Sequence, residues 1–108
     1  SINLKQGEAK TVTFTIRDSS NALVDCSSAS VQFAIKLDKG DLTYKVNKSD
    51  SSFTKTNAAN GVLTLVLNAT DTNQLADDYI GELYLWTSAT NKDKSDDITV
   101  TIEEAVIN

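Results

Sequence analysis

This chain of 108 residues contains no histidine, no proline and a single cysteine, and each absence excludes something. Without histidine, neither a Ser-His-Asp nor a Cys-His nucleophilic arrangement can be assembled, and a His-ligated zinc is excluded with them. Cys26 has no partner for an internal disulfide, so stability has to come from a core and from strand pairing, and a reducing compartment is the simpler setting. Between Asp25 and Ser27, with no base to activate it, Cys26 reads as a small structural residue. Without proline, edge strands must be protected by lysines, by short length or by coverage from a neighbour. The glycines Gly7, Gly40, Gly61 and Gly81 are scattered and build no phosphate-cradling loop. No apolar run approaches membrane-spanning length, and no leading segment has the charged start and apolar stretch of a signal peptide. One soluble domain over residues 1–108, without a targeting segment, is the expectation.

Acidic residues outnumber basic ones by 15 to 10, for a net charge of −5, which disfavours nucleic acid because phosphate binding needs clustered Lys and Arg. Lys36, Lys39, Lys45, Lys48, Lys55, Lys92 and Lys94 are dispersed among acids, the pattern of a solvated surface. Glycoside hydrolysis would need two carboxylates across a cleft, and Glu82 is the only acid inside a central strand. The chain is therefore expected not to be an enzyme. The acid pairs Asp77-Asp78 and Asp96-Asp97 lack the spacing of an EF-hand, and turn chemistry accounts for Asp18 and Asn21. No metal and no other cofactor is expected.

Apolar and polar residues alternate at a period of two almost throughout, which predicts strands. From Thr11 to Ile16 the even positions would face a core; from Val31 to Leu37 the odd ones would. Asp38-Lys39-Gly40-Asp41 reads as a hairpin loop into a strand from Leu42 to Val46, with the two strands adjacent and antiparallel. Phe53 anchors a short strand, and Asn60-Gly61 is the strongest turn dipeptide, preceding a strand from Val62 to Leu67. Thr70 or Asp71 would cap one helical turn through Leu75, whose side chain would plug the end of the fold. A strand from Tyr79 to Thr87, a loop at 91–94 and a last strand from Asp97 to Glu103, with Ile98, Val100 and Ile102 inward, complete the set. Short strands at intervals of about ten residues, seven or eight in all, predict an all-β antiparallel sandwich with one helical turn.

Three segments resemble a known group: Gln6-Gly7-Glu8 before a Thr-rich strand, Asn60-Gly61-Val62 with Leu63 and Leu65, and Thr70-Asp71-Thr72 with Leu75 and Asp78-Tyr79. Together they look like the small immunoglobulin-like domains of tailed-bacteriophage structural proteins, of which the N-terminal domain of baseplate upper proteins is the best-known relative. The resemblance covers nearly the whole chain through strand and turn patterns. It implies an immunoglobulin-like sandwich and a non-catalytic structural accessory of a phage particle, made in the host cytoplasm and located in the virion. Those relatives continue into helical or fibre-forming segments where this sequence stops, so capsid decoration, neck and tail roles stand beside a baseplate role. Implied partners are other virion proteins and the chain itself, with neither nucleic acid nor membrane.

A contact surface is suggested by the strand from Tyr79. If Tyr79, Gly81, Leu83 and Leu85 point inward, then Ile80, Tyr84 and Trp86 line the outer surface, and Tyr and Trp are favoured at interfaces. Val62 and Val66 oppose Leu63, Leu65 and Leu67 by the same logic, giving an outward apolar stripe over two strands. The opposite register would make Trp86 an ordinary core residue, since a slip of one position exchanges the faces. The alternative function is a carbohydrate- or host-surface-binding module. It would need Asn, Asp or Glu side chains around the aromatics, and Glu82 is the one locally evident.

Overall fold

The computed structural model describes residues 1–87 and 92–107. Among them are nine strands: β1 (Ile2–Lys5), β2 (Lys10–Thr15), β3 (Ser30–Lys36), β4 (Val46–Lys48), β5 (Phe53–Asn57), β6 (Val62–Leu67), β7 (Asp77–Trp86), β8 (Lys92–Lys94) and β9 (Ile98–Glu103). They form two sheets. One has the order β1-β9-β7-β3-β4, with β8 beside the far end of β7, and the other is β2-β6-β5. The pairings are antiparallel except β1 with β9, which makes the larger sheet mixed rather than purely antiparallel.

The period of two explains why the sheets stack. Val31, Phe33 and Ile35 of β3 and Leu63, Leu65 and Leu67 of β6 are buried and belong to one cluster, with Val100 and Ile102 of β9. Phe14 of β2 and Phe33 of β3 join the layers, their ring centroids 5.3 Å apart. Full burial of each such side chain stabilises the fold by about 1.5–3 kcal/mol, so this cluster, with no disulfide, holds the sandwich together. Val12, Phe14 and Ile16 face inward, as do Ile98, Val100 and Ile102, in the register that the alternation implies.

Turns differ more from expectation. β4 begins only at Val46, and Leu42 is 99% exposed rather than part of a strand. Asp38 N–H donates to the Asp41 carboxylate at 3.1 Å and Asp41 N–H to the Asp38 carbonyl at 3.0 Å, which curls the loop on itself before pairing resumes. Asn60-Gly61 does form the reversal, with Gly61 at φ 75°. The helix α1 (Ala69–Thr72) is capped by Asn68, not by Thr70 or Asp71. Asn68 accepts from Asp71 N–H at 2.9 Å, and the Asp71 carboxylate accepts from Asn68 N–H at 2.8 Å. Leu75 plugs nothing, being 83% exposed. That end is closed instead by buried Thr72, whose hydroxyl donates to the Glu8 carbonyl at 2.6 Å, and by Tyr79, whose hydroxyl donates to the Leu75 carbonyl at 2.6 Å.

Lys92–Lys94 pairs with β7 where a loop was expected; Asn91 lies outside the described residues. Between β8 and β9, Ser95 keeps the ladder continuous: its N–H donates to the Leu83 carbonyl at 2.8 Å, and its hydroxyl accepts from Leu83 N–H at 2.9 Å. The N-terminal residues add a strand and bury Leu4, while Val106 and Ile107 stay exposed. Cys26 is buried, and burial, followed by the Asp25 charge, pushes its thiol pKa up.

Candidate binding face

Gly81 fixes the register of β7. A Cβ there would lie 3.0 Å from the Phe33 ring and 3.2 Å from Val100, so Gly81 faces the core where those two side chains leave no room. Tyr79 and Leu83 are buried beside it, and Leu85 packs against the core. Ile80, Glu82, Tyr84 and Trp86 therefore point away from the core, and all four are half-buried. Trp86 belongs to the outer face and not to the core.

The pairing of β7 with β3 sets Gln32 beside Tyr84, Ala34 beside Glu82 and Lys36 beside Ile80, while β8 sets Lys94 beside Tyr84. The Tyr84 and Trp86 rings lie 4.8 Å apart at 42°, a tilted aromatic pair. Lys94 Nζ lies 5.1 Å from the Tyr84 centroid, and Lys36 Nζ 5.2 Å from that of Tyr44. Lys39 bridges to Asp97 at 2.6 Å; the hydrogen bond and then the charge of Asp97 raise the lysine pKa. Gln32 donates from Nε2 to Asn47 Oδ1 at 2.7 Å. Apart from Trp86 and Asn47, these groups border a shallow concavity of about 410 Å³, which Ala34, Ile80 and Glu82 also line. Among the described residues, no ion pair involves Glu82.

The five residues expected at a contact surface do not form one stripe. Ile80, Tyr84 and Trp86 share the outer face of the larger sheet. Val62 and Val66 sit on β6, in the other sheet, and point out on the opposite side of the molecule. The neighbours there are threonines: Thr11 is opposite Val66, Thr15 opposite Val62 and Thr13 opposite Thr64, with the Thr56 and Thr64 hydroxyls 3.1 Å apart. Val66, 57% exposed, is an isolated apolar residue on a hydroxyl-rich face.

Gln32, Tyr44, Asn47, Lys94 and Asp97 escaped the sequence reading of the face. The inward odd positions from Val31 to Leu37 already imply that Gln32, Ala34 and Lys36 point outward; what the sequence does not carry is which strand lies beside β7. Among the described residues, no group of three or more His, Cys, Asp or Glu side chains is placed to hold a metal ion. Among the described residues, no helix is long and apolar enough to cross a membrane. Comparison of the chain with protein-family models and with the sequences of curated proteins finds no match.

Proposed function

We propose that this chain is a non-catalytic structural accessory domain of a bacteriophage particle, in the capsid decoration, neck, tail or baseplate, that docks on other virion proteins. The outer face of the larger sheet is its docking surface. The observation that carries this is the outward Tyr84–Trp86 pair with Ile80 on the same strand: amphipathic aromatics are the side chains that dominate interface energetics. Two features support the immunoglobulin-like relationship. The orders β2-β6-β5 and β9-β7-β3 correspond to strands B-E-D and G-F-C of such sandwiches, and the Tyr79 hydroxyl bonded to the Leu75 carbonyl corresponds to a tyrosine corner. The residue inventory, without histidine, supports the absence of catalysis.

The test is co-sedimentation of the purified chain with particles of the virus that encodes it. Tyr84→Ala with Trp86→Ala should reduce bound protein at least about tenfold, since hot-spot aromatics contribute on the order of 2 kcal/mol each, while circular dichroism stays unchanged. Undiminished binding by the double variant would remove this face from the proposal.

A second reading, a carbohydrate- or host-surface-binding module, is favoured by one observation. Tyr84 is bordered by Gln32, which donates to Asn47 on the next strand, and Glu82 and Asp97 line the same concavity. These are amide and carboxylate groups of the kind that meet sugar hydroxyls. Binding on a glycan array that disappears in Trp86→Ala would establish this reading in place of the first.

A further inference from the structure

The five outer strands of the two sheets are not equally guarded. β4 and β8 are each three residues long, β5 carries Lys55 and a register shift between Thr54 and Asn57, and β1 is a four-residue parallel strand with Lys5. Short length, lysine and irregularity are the usual protections against pairing with another chain. β2 has none of them along its centre: it runs six residues in unbroken register with β6, from Lys10 opposite Leu67 to Thr15 opposite Val62. Its one lysine is drawn off the edge, Lys10 Nζ donating to the Asn3 carbonyl at 2.9 Å.

The direction of the backbone groups follows from one bond. Ile16 N–H donates to the Gly61 carbonyl at 2.8 Å, so Ile16 faces β6. Along an antiparallel ladder the orientation alternates, so Phe14 and Val12 also face β6, whereas Thr11, Thr13 and Thr15 turn their N–H and C=O groups outward. Among the described residues no backbone or side-chain group bonds to them.

We propose that β2 is a self-association edge, on which a second copy of this chain pairs its own β2 antiparallel about a two-fold axis at Thr13. The surface is distinct from the docking face and does not depend on it. The occupant is chosen by self-complementarity. Centred on Thr13, the register sets Thr13 opposite itself and Thr11 opposite Thr15, giving about six backbone hydrogen bonds between outward-turned groups. Val12 then meets Phe14 of the second copy on the inward side, where Val12 is half-buried and Phe14 already lies at the core. Lys10 falls opposite Ile16, so along residues 10–16 the register places no two like charges opposite each other. On the outer face the pairs are threonine with threonine, a favourable cross-strand combination. Two three-stranded sheets become one of six strands, and the bare edge disappears.

Sedimentation equilibrium over a rising concentration series tests the proposal, with two variants. The wild-type chain is expected to approach twice its 11.7 kDa mass. Thr13→Lys sets two ammoniums opposite each other at the axis and should remain at the single-chain mass, and at concentrations low enough for both proteins to be single chains its melting curve should match that of wild type, because Thr13 is exposed in the monomer. Thr13→Cys tests the register: directly opposed residues of this pair type lie about 5.5 Å apart at Cα, within disulfide reach. Mild oxidation should therefore cross-link Thr13→Cys to itself, while Thr11→Cys should not cross-link to itself; buried Cys26 supplies the uncross-linked background. A single-chain mass at every concentration overturns the proposal, as does a dimer that survives Thr13→Lys. Preferential self-cross-linking of Thr11→Cys overturns it as well.

Discussion

At Gly61 two independent requirements coincide. Its φ of 75° lies where L side chains are strained, and an added Cβ would stand 2.7 Å from the Ile16 carbonyl oxygen and 2.8 Å from that of Val24. Both are backbone atoms and cannot swing aside. Gly7 shares the φ, at 76°, but has nothing within 4 Å. Gly61→Ala should therefore cost about 3 kcal/mol or more and Gly7→Ala about 1 kcal/mol, the difference being the steric part, measured as urea midpoints. Tyr79 offers a second residue-scale test. Burial, and then the Asp77 charge, raise its phenol pKa, so the native state favours the protonated form. A raised pKa means that this contribution is fully present below the unfolded value near 10 and is lost as pH rises through the folded value. Tyr79→Phe should lose about 1 kcal/mol at neutral pH through the missing bond to Leu75, and should lack this group's share of the alkaline decline in stability. An alkaline limb of the same steepness in both proteins would place its cause elsewhere.

Elements show where sequence reading succeeds and where it stops. Alternation is a property of one strand alone, so the inward sets of β2, β3, β6 and β9 were legible from residue types. The ends of elements depend on partners. The run from Leu42 to Val46 alternates as a strand does, yet the ladder reaches only Val46, because Ile35 is the last residue of β3 paired with β4. Likewise Thr70 and Asp71 are acceptable cap types, but Asn68 holds the position from which an oxygen reaches Asp71 N–H. Asn68→Ala should cost about 1 kcal/mol and Thr70→Ala far less, because only the former removes the acceptor of the capping box. Leu42→Ser should leave stability within about 0.5 kcal/mol of wild type, since a side chain 99% exposed buries nothing, whereas Val46→Ala should cost more, Val46 being 6% exposed. Chemical denaturation of the four variants checks both pairs, and an Asn68→Ala protein as stable as wild type would remove the cap from the account.

At the scale of the whole molecule, the partition of strands between sheets decides which residues can act together, and a linear pattern does not encode it. Val62–Val66 and Ile80–Trp86 look alike in sequence, each an outward apolar set on a strand with a buried face. β6 joins β2 and β5 while β7 joins β3 and β9, so the two sets look out from opposite sides of the sandwich. The same partition sets the aromatic face of the larger sheet apart from the smaller sheet, whose threonine face runs up to the bare β2 edge. Substitutions on well-separated sites act additively. Val66→Lys should therefore leave the affinity of each chain for the particle unchanged. Thr13→Lys should abolish association while each chain keeps its intrinsic affinity for the particle, and Tyr84→Ala with Trp86→Ala should do the reverse. Because a dimer engaging two sites gains avidity, Thr13→Lys would still weaken apparent binding to a particle surface dense in sites, but not to one isolated site. Titrating the three variants against intact particles and against a single purified partner subunit separates these outcomes. If Val66→Lys lowers binding to the isolated subunit as much as the aromatic double variant does, the docking surface wraps both faces and the assignment to the larger sheet alone is wrong.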